Sequence, residues 1–168
     1  MKKSAVLIVL FLFSVVSNGQ TIQDHYQSGV SKIENKQYND AIDELSLALE
    51  ENPRFEEAYL KRAACYVILE DNWKAVEDLN SALGINPRNS VAYYNRGLAY
   101  KKLNQLLKSV EDFTMALELD PFNKYAVYNR ALVKLRLDDI NNACLDLARA
   151  ADMGVENAAE LLKYSCKN

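Results

Sequence analysis

Large apolar side chains recur at steps of three and four residues along nearly the whole chain after residue 20, with short polar breaks between the runs. This spacing predicts amphipathic helices. Three prolines, Pro53, Pro87 and Pro121, stand 34 residues apart, and each closes a block with the same order of small and large apolar residues. A fixed period of this length predicts stacked helical hairpins.

Aligned on the prolines, the blocks span residues 22–55, 56–89, 90–123 and 124–157. Each block is predicted to hold two helices, because proline cannot continue a helix and restricts the residue before it. The last block has Val155 in place of proline, and beyond Gly154 the chain runs into an amphipathic segment. That segment, about residues 156–165, is predicted to be a helix that caps the stack.

Columns of like residues run through the four blocks. Small residues occupy registers where two helices must cross closely, and bulky residues lie between them. The small columns are Gly29, Ala63, Gly97 and Ala131, then Ala41, Ala75, Ser109 and Ala143, then Ala48, Ala82, Ala116 and Ala150; the bulky column is Leu45, Leu79, Phe113 and Leu147. These columns predict the core.

The segment before the repeats has a different character. Lys2 and Lys3 precede an apolar stretch from Ala5 to Val16, which is followed by small and polar residues. This pattern is typical of a secretory signal peptide over residues 1–19, and the apolar stretch is short of the roughly 20 residues that span a bilayer. We therefore expect a mature domain over residues 20–168, exported to the periplasm or outside a bacterial cell, with no membrane insertion after cleavage.

The second and third blocks contain EAYLKRAACYVILEDNWKAVEDLNSALGINP and VAYYNRGLAYKKLNQLLKSVEDFTMALELDP. They resemble the tetratricopeptide repeat, whose pattern of Trp, Leu, Gly and Tyr followed by Ala, Phe and Pro has a 34-residue period. The resemblance covers nearly all of the chain after the leader. It implies an all-α fold, an α-solenoid of helix-turn-helix repeats in a right-handed superhelical stack with a C-terminal capping helix.

The resemblance also implies where a ligand binds, because ligand-facing positions in this family lie along the inner face of each first helix. Transferred by register, the candidate groove is Tyr26, Val30, Leu60, Val67, Tyr94, Leu98, Lys101, Lys102, Tyr125, Tyr128, Leu132 and Arg136. Glu34 and Glu57 in the first half and the cations in the second half would orient an extended ligand. A purely structural role of Tyr94 and Tyr128 in packing stays open.

The clamp of lysines, asparagines and an arginine with which some family members hold acidic chaperone tails is mostly missing. Only Asn95 and, by register, Asn129 resemble its asparagine element. Where a lysine and the first asparagine are needed stand Tyr26 and Val30, or Leu60 and Ala64. Binding of chaperone tails is therefore disfavoured.

Two charged columns share the repeat period: Arg62, Arg96 and Arg130, and Asp78, Asp112 and Asp146 with Glu44 at the same register. One interpretation is a ladder that binds anions. The other, which the presence of both signs favours, is that each arginine pairs with an acidic residue of a second helix and fixes the hairpin geometry.

Catalytic and metal-binding patterns are hard to find in the sequence. His25 is the only histidine and stands at a packing register, the glycines form no phosphate-binding loop, and the three cysteines lack metal-site spacing. We expect no enzyme activity and no cofactor. The formal net charge is −3, so binding of nucleic acid by bulk electrostatics is also disfavoured.

The cysteines predict one disulfide. If the last repeat helix and the cap form an antiparallel hairpin that turns near Gly154, Cys144 and Cys166 lie at similar distances from the turn and end up side by side. An exported protein permits the bond. Cys65 is expected to stay a buried free thiol.

The sequence thus predicts a scaffold that binds a protein or peptide segment on the concave face of a four-repeat array. The alternative is a structural component that self-assembles or joins an envelope complex without a groove ligand. An enzyme is the remote alternative. The partner's identity and the oligomeric state stay open.

Overall fold

The computed structural model describes residues 21–166, and within them it contains nine helices and no strand. The helices are α1 (21–34), α2 (Tyr38–Glu51), α3 (Glu56–Ile68), α4 (Asn72–Ile85), α5 (Ser90–Lys102), α6 (Leu106–Leu119), α7 (Lys124–Arg136), α8 (Ile140–Asp152) and α9 (Glu156–Ser165). The first eight pair into four hairpins, the first of them through the approach of Gly29 in α1 to Leu45 in α2, and α9 packs on α8. The predicted all-α stack of hairpins is confirmed. The predicted leader lies outside the described residues.

The turns within the hairpins share one backbone device. Lys36, Glu70, Asn104 and Asp138, which stand 34 residues apart, all have positive φ angles between 58° and 63°. A single residue in the left-handed region reverses the chain sharply between two helices. The repeat therefore extends to the backbone conformation, although no glycine occupies these positions.

The turns between hairpins use proline or glycine to end the second helix. α2, α4 and α6 end two residues before Pro53, Pro87 and Pro121, because the residue before proline is restricted away from helical geometry. α8 ends instead two residues before Gly154, whose φ is 78°. There the Val155 N–H donates to the Ala150 carbonyl at 2.9 Å, a bond typical of glycine-terminated helices.

The small and bulky columns form the core. Every member of the three small columns is buried, and the four bulky side chains are fully buried. At Gly97 a Cβ would lie 2.9 Å from the ring of Phe113, and at Gly29 a Cβ would lie 2.8 Å from Leu45. Such distances are shorter than ordinary carbon contacts, so glycine at these two crossings allows the helices to approach.

The stack curves toward its first helices. α3 contacts α5 directly and α5 contacts α7, while second helices such as α4 and α6 have no comparable contact with each other. The odd-numbered helices therefore lie on the inner side of the bend. This side is the concave face on which the candidate groove was predicted.

Candidate functional site

The fifth residue of each first helix forms a row across the concave face. Leu60, Tyr94 and Tyr128 hold this place in α3, α5 and α7, and Tyr26 continues the row on α1. All four are half-buried. The Tyr26 ring packs on Phe55 with centroids 4.8 Å apart, and Tyr94 packs on Phe113 at 5.9 Å. The row therefore contributes to the core on one side and offers its other side to solvent.

The second residue of each first helix is more exposed. Val91 is 55% exposed and Tyr125 57% exposed. Burial, and secondarily the proximity of Tyr125, raise the pKa of Tyr94, which indicates that the two phenols lie close together. Among the aromatic residues of the groove predicted on the repeats, Tyr125 has the most free surface, so it can bury the most new area against a ligand there.

The aliphatic members of the predicted groove are Val30, Val67, Leu98 and Leu132, and all are half-buried. Val67 and Leu98 pack against the hydrophobic core. These four side chains line the part of the candidate groove that lies beyond the row toward the carboxyl-terminal ends of the helices.

Three cations lie together at the ends of α5 and α7. Burial lowers the pKa of Lys101, and the charges of Lys102 and Arg136 lower it further. Lys101 donates to the side-chain Oδ1 of Asn129, and Arg136 donates at 2.7 Å to the side-chain Oδ1 of Asn104. Among residues 21–166 no carboxylate pairs with any of the three. The cluster is thus oriented by neutral amides and keeps its positive charge unmatched.

The first half of the groove carries the opposite charge. Glu34 and Glu57 are both exposed, and Glu57 contributes to a raised pKa of Tyr26, after the larger effect of burial. The predicted change of sign along the groove is therefore present in the geometry. An extended ligand bound there would meet acidic groups at one end and basic groups at the other.

The charged columns form ion pairs inside the hairpins. Arg62 binds Asp78 through two nitrogens at 2.8 and 2.7 Å, and Arg96–Asp112 and Arg130–Asp146 repeat this geometry with the same distances. The remaining terminal nitrogens donate to Ser46, Asn80 and Thr114 in the preceding hairpin. Each arginine therefore links two repeats. The pairing interpretation is confirmed over the anion ladder.

The pairs differ at the ends of the stack. In the first hairpin, Glu44 lies 2.7 Å from Nδ1 of His25, and this hydrogen bond lowers the pKa of Glu44. In the last hairpin, Asp146 also accepts a bond from Lys134 at 2.7 Å. Burial alone would raise the pKa of Asp146, but the bonds from Arg130 and Lys134 outweigh burial and lower it. His25 thus serves in a structural pair.

The structure joins Cys144 and Cys166 in a disulfide with Cα atoms 5.9 Å apart, and Cys65 is a buried free thiol. The bond ties the end of α9 to α8. Within the described range, 21–166, no group of three or more histidine, cysteine, aspartate or glutamate side chains is arranged to hold a metal ion. The same range contains no helix with the length and apolar character needed to span a bilayer.

The groove extends onto α9, which sequence reasoning had assigned only as a cap. Ala126 and Ala158 are the buried third residues of α7 and α9, so the two helices align with an offset of 32 residues. At this offset Asn157, Glu160 and Tyr164 occupy the second, fifth and ninth places, which are groove places in the repeats. The offset from α7 to α9 is two residues shorter than the 34-residue repeat. An alignment on the repeat period therefore does not show that these residues occupy groove places.

A pocket of about 290 Å³ opens between α7 and α9 at this end of the groove. It is lined by Tyr128, Asn157, Glu160, Leu161 and Tyr164. Tyr164 is 68% exposed. The carboxylate of Glu160, also exposed, has no hydrogen bond or ion pair with any residue in the described part of the chain. The pocket is therefore aromatic on two sides and carries one free carboxylate.

The comparisons with known proteins agree with this geometry. Two models of the tetratricopeptide repeat match residues 56–89 and 90–123, the second and third of the four blocks. No curated protein matches the chain at a significant level. The family evidence thus comes from the repeats and from solved structures.

Among solved structures, the first TPR of Spaghetti (RPAP3), bound to the HSP90 peptide SRMEEVD, is 26% identical with a TM-score of 0.69, covering 71% of this chain and 94% of its own. The Arabidopsis OM64 TPR domain is 28% identical with a TM-score of 0.68, covering 71% and 98%. A MamA protein is 19% identical with a TM-score of 0.84, covering 88% and 81%. At that identity the likeness to MamA concerns the fold alone.

Proposed function

Because the chain belongs to the tetratricopeptide repeat family, we propose that it is a protein-interaction scaffold that binds a peptide segment of a partner on its concave face. The observation that carries the proposal is the groove itself. Uncovered aromatic surface, as at Tyr125, lies beside three cations that no carboxylate in residues 21–166 neutralises. A related repeat domain bound to a peptide, the first TPR of Spaghetti, supports a ligand of this kind.

In this proposal the row of Tyr26, Leu60, Tyr94 and Tyr128 supplies apolar contacts, and the exposed Tyr125 adds another. Aromatic side chains bury large areas with few torsions to freeze, so they are frequent hot spots. Lys101, Lys102 and Arg136 hold an acidic part of the ligand. The clamp for chaperone tails is mostly missing here, so the peptide recognised by this groove differs from the one held by Spaghetti.

We further propose that the protein is exported after cleavage at the end of the 1–19 leader, and that its role is non-catalytic and needs no cofactor. The lysine-led leader and the missing set of convergent catalytic groups in the sequence support these points. Amino-terminal sequencing of the protein from the native envelope is expected to begin at Gln20. A chain that keeps Met1 or the leader would contradict export by this route.

The test of groove binding starts with capture of the partner on immobilised protein and mapping of the bound segment by mass spectrometry. Tyr125→Ala is then expected to weaken that segment's binding about tenfold or more, as loss of an aromatic hot spot does. Leu145→Ala on α8, which removes a side chain that is 69% exposed, is the matched control. Loss in the control with no change in Tyr125→Ala would move the site to the outer face.

A second candidate function, self-assembly, is favoured by apolar residues exposed at the hairpin turns. Trp73 is 59% exposed, Leu107 69% and Leu137 36%. Exposed apolar patches of this kind mark interaction surfaces. The mass in solution, measured across a range of concentrations for the natural chain and for Trp73→Ser with Leu107→Ser, separates this role from groove binding. A monomer at all concentrations excludes it.

A further inference from the structure

We propose that the pocket between α7 and α9 binds a cationic side chain, arginine or lysine, of the peptide that occupies the groove, an inference that rests on the proposed function. The pocket continues the groove at its carboxyl-terminal end. It is built from Tyr128 of the repeat array and from Asn157, Glu160, Leu161 and Tyr164 of the last helix segment. The cap thereby becomes part of the binding surface.

The size of the pocket suits one side chain. Pockets for drug-sized molecules and cofactors enclose roughly 300 to 1,000 Å³, and this pocket, at about 290 Å³, stands at the lower limit. It also opens to the groove, so a side chain can enter while its backbone stays on the concave face. A long side chain fits this shape better than a separate small molecule.

The charge of the pocket selects a cation. Glu160 supplies the only carboxylate among the lining residues, and no side chain in the described part of the chain pairs with it. An apolar occupant would remove water from this carboxylate without replacing the lost hydrogen bonds, which is unfavourable. A guanidinium or ammonium group would instead pair with Glu160 while lying against the rings of Tyr128 and Tyr164, whose faces attract cations.

The pocket and the cation cluster together give the ligand a pattern. Arg136 follows Tyr128 by eight residues on α7, which corresponds to about 12 Å along the helix axis. An extended peptide covers about 3.3 Å per residue, so its basic residue and its acidic part are separated by roughly three or four residues. The two subsites therefore fix both the composition and the direction of the bound segment.

The test uses blocked amino acids and needs no knowledge of the partner. N-acetyl-arginine methylamide is titrated into the full-length protein while the backbone amide resonances of α9 and of Tyr128 are followed by NMR. We expect saturable shifts at these amides and several-fold weaker binding of the neutral isostere N-acetyl-citrulline methylamide. Glu160→Gln is expected to weaken the binding about two- to fivefold, the range of a solvent-accessible ion pair.

The control Glu118→Gln removes the same charge from an exposed position on α6 and is expected to leave the titration unchanged. Equal binding of the arginine and citrulline probes, unchanged binding in Glu160→Gln, or no saturable shift at α9 would each overturn the proposal. These outcomes leave the groove test intact, because that test measures the captured peptide against Tyr125→Ala. Conversely, if the groove test failed and the arginine titration succeeded, the pocket would be a binding site for a cationic side chain, and the proposed role of the groove would be wrong.

Discussion

The two ends of the stack are closed by different ion pairs at one register of the repeat. In the last hairpin the side chain of Asp146 is 7% exposed and accepts bonds from both Arg130 and Lys134. In the first hairpin Glu44 takes the place of the aspartate, its side chain is 25% exposed, and its partner is His25. The same position thus holds a buried network at one end and a single solvent-accessible pair at the other.

The difference teaches where stability resides in this solenoid. Serine replaces arginine at position 28, so the first hairpin lacks the bidentate arginine–aspartate fork that joins the two helices of each later hairpin. Its link to the second hairpin is the single bond from Arg62 to Ser46. The last hairpin has that fork and also a disulfide to α9. Since each hairpin of a solenoid contacts only its neighbours, local stability follows local contacts. We expect the carboxyl-terminal end, which holds the candidate cation pocket, to be the more rigid of the two.

The largest expected effect comes from removing the buried carboxylate. Asp146→Ala leaves Arg130 and Lys134 without their acid in a largely buried site, and breaking a buried pair in this way costs about 3–5 kcal/mol of unfolding free energy. The matched variant Glu44→Ala is expected to cost about 1 kcal/mol or less, because the pair is more accessible to water. Urea unfolding of both variants measures the contrast, and equal losses would contradict it.

The second effect concerns the bond between α8 and α9. Replacing Cys144 and Cys166 together by alanine opens a loop with a sequence separation of 22 residues, which corresponds to about 3 kcal/mol in the chain-entropy description. Thermal or urea unfolding of the variant against the oxidised natural chain measures this loss. Adding a reductant is the control, since it is expected to destabilise the natural chain and leave the variant unchanged. A reductant effect on both would point to another thiol.

Much of the fold could be predicted from the sequence because each packing position recurs in all four blocks, with a similar residue in each. The small column that contains Gly97 and the bulky column that contains Phe113 predicted which helices cross closely, and the structure brings these two residues into contact. The pairing of Arg96 with Asp112 could also be inferred, since both signs recur at one period. Redundancy, and not any single residue, made these predictions possible.

The candidate site could be predicted less well, for two physical reasons. The bonds from Lys101 to Asn129 and from Arg136 to Asn104 join different repeats, and their geometry depends on the curvature of the stack. The groove face of α9 was missed because Gly154 ends α8 without the proline that sets the register elsewhere. A buried alanine as the third residue of α3, α5 and α7, repeated in α9, was the signal that could have found it.

The smallest expected effect is a dependence of the first hairpin on acid. The hydrogen bond from His25 lowers the pKa of Glu44 in the folded state below the value of about 4.3 that glutamate has in an unfolded chain. Its contribution to stability is therefore fully present above about pH 4.3 and is lost as the pH falls through the lowered folded-state value. Hydrogen exchange followed by mass spectrometry, corrected for the intrinsic pH dependence of exchange, is expected to show protection in α1 and α2 falling in this acid window before protection in α5. In Glu44→Gln the same helices are expected to start with lower protection and to change less with acid, because the titrating group has been removed. Identical acid profiles in the natural chain and this variant would mean that Glu44 does not control the opening of the first hairpin.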